Sequence, residues 1–215
     1  MPNYCNNNIV ITGPNSVIDK IEKIANGDKG DLLQYFYPMP KELNDTVAGP
    51  EPKTKKEKLE KRRLQVEYGA SNWYDWRCTN WGTKWELCEF YGVDKQPDSL
   101  IGHSTISFGF SSAWAPPIGA YEKFLENNSD CSVRAFYYEG GCDFMGEWND
   151  GVDDCYAPSD YKSTDDFWQD GVGSTLDDVF NITESMAEYE AEQEAEKEDV
   201  HEYTKGKAMN IGEEV

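Results

Sequence analysis

Along the first two thirds of the chain the apolar positions recur with two periods, and each change of period marks a new element. Asn8-Ile9-Val10-Ile11-Thr12 is a β-branched run closed by Gly13-Pro14, which predicts a first strand. Asn15 or Ser16 then caps a helix whose apolar face is Val17, Ile18, Ile21 and Ile24, and Asn26-Gly27 ends it. Leu32 to Phe36 is a short apolar run stopped by Tyr37-Pro38-Met39-Pro40, and it reads as a return strand. Thr83 to Tyr91 predicts another strand, and Gln96-Pro97-Asp98 turns the chain. From Ile101 to Phe110 polar and apolar residues alternate, with Ser104, Ile106, Phe108 and Phe110 toward the core and His103 pointing away. Pro116-Pro117 opens a helix that buries Ile118, Tyr121, Phe124 and Leu125, and Asn127-Asn128 ends it. Ser132 to Glu139 and Phe144 to Trp148 predict two further strands, and Asn149-Asp150-Gly151 is a hairpin signal leading into Cys155-Tyr156.

Two stretches interrupt this rhythm. Between Asn72 and Trp85 stand four of the chain's seven Trp residues, Trp73, Trp76, Trp81 and Trp85. Trp73 and Trp76 are three apart and share a helical face, and Gly82 is placed to stop that helix in a left-handed conformation. Arg77 and Asp75 fall at the rim, where a guanidinium can stack on an indole. Such a cluster serves either core packing or the stacking of a base or ligand. The other stretch is an insertion over residues 44–66, in which Lys53 to Arg63 carries seven Lys/Arg beside two Glu. It reads as a phosphate-contacting patch or as a solvated helix with internal Glu-Lys pairs. The two strand-helix-strand modules together define an α+β fold class. The expectation is a ferredoxin-like split β-α-β sandwich with an antiparallel sheet and a trailing β-hairpin.

Charge changes the picture for the last third. The net charge is -21, and residues 143–199 hold nineteen Asp/Glu against Lys162 and Lys197. Residues 158–215 are accordingly expected to form an acidic extension, helical or partly disordered, following a domain of residues 1–157. Ser163 to Trp168 and Ser174 to Phe180 read as helix starts with acids in the first turn, and Ile182, Met186 and Tyr189 continue at helical spacing. Asp165, Asp166, Asp170, Asp177, Asp178, Glu184 and Glu188 are the candidate partner-binding carboxylates. Arrayed on helices, they approximate the phosphates of DNA, whereas the plainer alternative is a solvated extension that keeps the protein soluble. The six cysteines form no C-x-x-C pair, and there is neither a signal-like apolar N-terminus nor an apolar run of about 18 residues. Reduced thiols, a cytoplasmic location and no membrane contact are expected.

Several segments carry a family resemblance. The start Met1 to Asn7, Tyr37-Pro38-Met39-Pro40, Asn80-Trp81-Gly82-Thr83-Lys84-Trp85, Phe110 to Pro117, and Tyr137-Tyr138-Glu139 with Asp143 to Glu147 resemble the Api92-like, YubB-type family of phages, prophages and plasmids. The resemblance spans about residues 1–157 and is most specific at the Asn-Trp-Gly-Thr-Lys-Trp segment. It implies a ferredoxin-like domain and a mobile-element origin. The family has no assigned activity, so no catalytic residue is carried over.

Material for catalysis is sparse. His103 and His201 are the only histidines, too few for a two-histidine metal site. Asn149, Asp150, Asp153 and Asp154 depart from the EF-hand spacing and suit a turn, and Gly171 to Thr175 lacks the Lys of a phosphate loop. No cofactor and no metal are expected. The leading expectation is a non-enzymatic phage or mobile-element accessory protein. Its acidic third would bind a host protein with a cationic or nucleic-acid-binding surface, as a DNA mimic or defence inhibitor, without binding DNA itself. Alternatives are a small-molecule or nucleic-acid binding module using the aromatic sheet, and an enzyme using the amine of Pro2.

Overall fold

The computed structural model describes residues 3–27, 31–49, 51–161, 163–169, 171–188 and 191. The chain divides into two compact units, Met1–Ala157 and Pro158–Val215. Six strands build the first unit: β1 (Tyr4–Pro14), β2 (Cys88–Pro97), β3 (His103–Ala113), β4 (Ser132–Glu139), β5 (Phe144–Asn149) and β6 (Val152–Tyr156). They form one antiparallel sheet in the order β2-β3-β1-β4-β5-β6. The hydrophobic pattern of β1 places Cys5, Asn7, Ile9 and Ile11 on one face, and all four are buried. The same face continues through Ile106, Phe108 and Phe110 of β3 and through Val133, Ala135 and Tyr137 of β4. His103 lies on the other face, as its alternation requires.

Helices α1 (Asn15–Ala25) and α6 (Ile118–Asn127) cover the buried face, α1 against β1, β2 and β3 and α6 against β4. Ile18 and Ile21 of α1 and Tyr121 and Phe124 of α6 close the core there. Neither Asn15 nor Ser16 caps α1. Pro14 holds the cap position, and Asn15 instead accepts a hydrogen bond from the Ser104 hydroxyl at 2.7 Å. Ile101 is also displaced from the expected strand: it is 98% exposed in the turn before β3. The β5–β6 hairpin turns through Asp150 and Gly151, both at positive φ, which matches the right-handed twist of its strands.

Two strand expectations are corrected. Leu32–Phe36 is the short helix α2, because Leu32, Leu33 and Phe36 fall on one helical side and all reach the core. Short apolar runs do not distinguish strand from helix by period alone. Residues 83–87 are not a strand either, and β2 begins only at Cys88. Gly82, at φ +86°, turns the chain across the end of the sheet, where the Thr83 hydroxyl donates to the Ala113 carbonyl at 2.7 Å. Two register shifts then delay regular pairing of β2 until Asp94.

Between these lie α3 (Lys41–Asn44), α4 (Lys55–Tyr68) and α5 (Trp73–Asn80). α4 has a complete capping box, Thr54 with Glu57, and a left-handed Gly69 at its end, so its termini are satisfied locally. α5 meets the start of α6 so closely that a Cβ on Gly119 would lie 2.5 Å from the Asn80 carbonyl oxygen. In the second unit, α7 (Thr164–Gln169) packs on α8 (Gly171–Phe180), and Tyr161 meets Phe167 edge-on at 4.9 Å. Asn181, at φ +53°, ends α8, and residues 182–188 are helical again.

The close approach of α5 and α6 is testable. Gly119→Ala should cost about 1–3 kcal/mol, since a backbone carbonyl cannot move aside as a side-chain tip can. An unchanged midpoint in urea denaturation would show that the two helices are not held together here.

Candidate functional site

The helical part of the Asn72–Trp85 stretch forms where its spacing predicts, while Thr83 to Trp85 leave it outside any strand. Asn72 caps α5, its side-chain oxygen accepting from the Asp75 amide at 2.9 Å, and this sets Trp73 and Trp76 one turn apart. Trp76 and Trp81 are buried and meet edge-on at 5.9 Å. Tyr37 packs edge-on against Trp76 at 5.0 Å, and the Trp81 indole N–H donates to the Tyr37 carbonyl at 2.7 Å. The Tyr37 hydroxyl donates to Asn80 at 2.9 Å, and Asn80 returns a bond to the Trp76 carbonyl. Trp85 stands apart from this core, half-buried under the Lys84 ammonium at 4.5 Å.

Arg77 lies between two indoles, its guanidinium 4.8 Å from the Trp81 ring centre and 5.2 Å from that of Trp73. Its Nε is buried without an acceptor. Burial pulls its pKa down, opposed by the charge of Glu86. Glu86 itself is mostly buried and accepts the Leu33 and Gln34 amides at 2.5 and 3.2 Å, capping α2 from a distant segment. Burial pushes its carboxyl up to about 7 despite those bonds. The cluster therefore joins α2, α5 and the 83–87 crossing into one packed block. Its two deepest indoles have their faces turned to protein and are not a platform for a ligand.

Other titratable groups are engaged in structure. Burial pushes the Cys5 thiol up to about 12, which makes it a poor nucleophile. Asn7 donates to the Cys5 carbonyl and the Ser112 hydroxyl, both at 2.8 Å. Asp150 accepts from the Val133 amide and the Ser132 hydroxyl, and Asp153 accepts from the Tyr137 hydroxyl. The hairpin carboxylates thus tie the sheet's end together. Among the described residues no group of three or more His, Cys, Asp or Glu is placed to hold a metal ion. Pro2 and His201 lie outside the described residues. Glu86 had no signal in its sequence neighbourhood. Asn7 did: extending the two-residue period of Ile9 and Ile11 backwards puts it on the buried face.

Of the acidic candidates, Asp165, Asp166, Asp178, Glu184 and Glu188 are exposed. The Ser163 hydroxyl accepts the Asp166 amide at 3.2 Å, and Asn181 donates to Glu184. Asp177 is placed otherwise. It is buried and accepts from the Thr183 amide at 2.6 Å and hydroxyl at 2.8 Å, holding the turn into residues 182–188. Asp170 lies outside the described residues. Asp165, Asp178 and Glu188 take part in no ion pair among the described residues, where all such pairs fall between Asp19 and Glu147.

Fold and site define an α+β protein built on one open six-stranded antiparallel sheet, joined to a small acidic helical unit. No family model matches the chain, and no curated protein matches it. Among solved structures it is similar to the crystal structure of a protein Api92 from Yersinia pseudotuberculosis. The two are 13% identical, the match covers 75% of this chain and 96% of that one, and the TM-score is 0.39.

Glu86 supplies a pH prediction. Its folded carboxyl keeps a proton up to about pH 7, while the unfolded one releases it near 4.5. The resulting contribution to stability is complete below pH 4.5 and is lost as the pH rises through 7. The wild type should lose stability relative to Glu86→Gln between these two values, measured as urea midpoints; parallel profiles would show that Glu86 ionises normally.

Proposed function

We propose that this is a non-enzymatic binding protein whose acidic C-terminal unit engages the cationic, nucleic-acid-binding surface of a host protein. The observation that carries the reading is the set of carboxylates exposed in that unit, Asp165, Asp178 and Glu188, which make no ion pair among the described residues. Residues 158–215 hold seventeen Asp/Glu against four Lys. An unpaired, solvent-facing array of one sign raises the encounter rate with an opposite surface and repels nucleic acid. The carboxylates are carried on α7, α8 and the helical residues 182–188, which are separated by breaks. Mimicry would therefore present a cluster on short helices, each only about 1.5 Å per residue in length, and not one straight rod of charge.

The first unit supplies the scaffold. A strand order with β3 between β1 and β2, and β4 beside β1, supports a ferredoxin-like split β-α-β reading extended by a hairpin. Together with the Asn-Trp-Gly-Thr-Lys-Trp segment, that reading favours an Api92-like, YubB-type protein of mobile-element origin acting in the host cytoplasm. The high thiol pKa of Cys5 and the structural use of the hairpin carboxylates are in keeping with a protein that binds and does not catalyse.

The test is affinity capture from a host lysate with the full chain and with an Asp165→Asn, Asp178→Asn, Glu188→Gln variant. The variant should keep its far-UV circular dichroism and lose a captured protein that DNA competes away. Equal capture by both chains would end this reading.

A further inference from the structure

We infer that α4 is a docking surface for the phosphate backbone of double-stranded nucleic acid. The helix is held to the body by buried Leu64 and half-buried Tyr68 and by the Arg63–Glu42 pair, and its complete caps allow the rest of it to stand exposed. Its charges are sorted by side. Arg63 reaches Glu42, Glu60 and Glu67 at 2.5–2.8 Å, and Lys61 pairs with Glu51 at 3.1 Å. Glu57 is held in the capping box. The acids near the helix are thereby matched to two cations or to the cap. Lys55, Lys56, Lys58 and Arg62 are exposed and make no ion pair among the described residues; Lys56 lies on the side of Arg63, near Glu60, and the other three lie together.

Lys55, Lys58 and Arg62 do not fall at random. Lys55, Leu59, Arg62 and Val66 follow one another at steps of three and four residues and so share a side, with Lys58 beside them. At about 100° per residue this side faces away from Leu64. Lys58, Arg62 and Val66 also line a shallow groove with Pro52 and the Glu51–Lys61 pair, whose carboxylate is thereby answered within the groove. A row of unpaired cations along a rigid helix is the arrangement that neutralises neighbouring phosphates and releases their counterions. Leu59 and Val66, 61% and 81% exposed, add apolar contact without adding selectivity. The chain's net charge of -21 does not forbid this. Charges are screened over about 8 Å at physiological salt, so a bound phosphate responds to α4 and little to carboxylates farther away. The inference is independent of the acidic unit.

The test uses the full chain and a fluorescein-labelled DNA duplex of about 24 base pairs, read by anisotropy. Three phosphate contacts predict that affinity falls about 40-fold between 50 and 200 mM salt. A Lys55→Gln, Lys58→Gln, Arg62→Gln variant should lose at least about tenfold at the lower salt. Arg63→Lys, which keeps the charge that matches Glu42, Glu60 and Glu67 on the other side, should bind as the wild type does. All these positions are exposed, so circular dichroism should show an unchanged fold. Absence of binding at low salt overturns the assignment, as does equal binding by the triple variant. It is also overturned if poly-L-glutamate or vesicles containing phosphatidylserine bind more tightly than the duplex and lose that binding in the triple variant.

Discussion

β1 is hydrogen-bonded along both edges, and the first unit depends on that double pairing. It runs against β3 from Tyr4 opposite Ala113 to Pro14 opposite His103, and against β4 from Asn6 opposite Tyr138 to Thr12 opposite Ser132. Because side chains alternate, a slip of one residue on either edge would send Cys5, Asn7, Ile9 and Ile11 to the wrong face and open the core. Asn7 guards against that slip. As a fully buried amide it needs acceptors: the Cys5 carbonyl is on its own strand, while the Ser112 hydroxyl comes from β3 and is brought to it by the observed register. The Thr12 and Thr105 hydroxyls, 2.8 Å apart on the opposite face, mark the same register near the other end of the strand.

The register explains why some of the fold was readable in the sequence. β3 and β4 lie in the interior of the sheet with one face on the helices, so a period of two was imprinted on them, and the face assigned to Ile106, Phe108 and Phe110 is the one observed. α1 and α6 each lie over that face and carry the matching helical spacing. Where the chain is placed by a distant partner, the local pattern failed. Leu32–Phe36 is helical because its first amides are met by Glu86, more than fifty residues away. Residues 83–87 follow the end of the sheet because Gly82 turns them there and Thr83 is held by Ala113. No window of neighbouring residues contains Glu86 for the one or Ala113 for the other.

The candidate sites divide along the same line. Stacking of Arg77 on indoles was legible, since Trp73, Arg77 and Trp81 follow one another at helical spacing. The role of the cluster was not, because a sequence dense in Trp suits a core and a binding platform equally. The edge-on meeting of Trp76 with Trp81, and the hydrogen bond from Trp81 to Tyr37, give those two indoles to packing, while Trp73 and Trp85 stay half-buried. Among the acids, exposure followed from charge for most positions, while Asp177 went inward because Thr183 lies across a helix break from it and offers two donors. The break comes from Asn181 in a left-handed conformation, which asparagine tolerates better than most residues do.

What this leaves is a molecule with charge sorted at short range. A sum of -21 describes the field far from the surface, but recognition occurs within a few ångströms, where ion pairing decides which charges remain to be answered. Among the described residues, the acids on α4 are matched and cations are left over, and in the second unit carboxylates are left over. α4 extends about 21 Å, more than twice the screening length, so most of its length is electrostatically independent of charges beyond its ends.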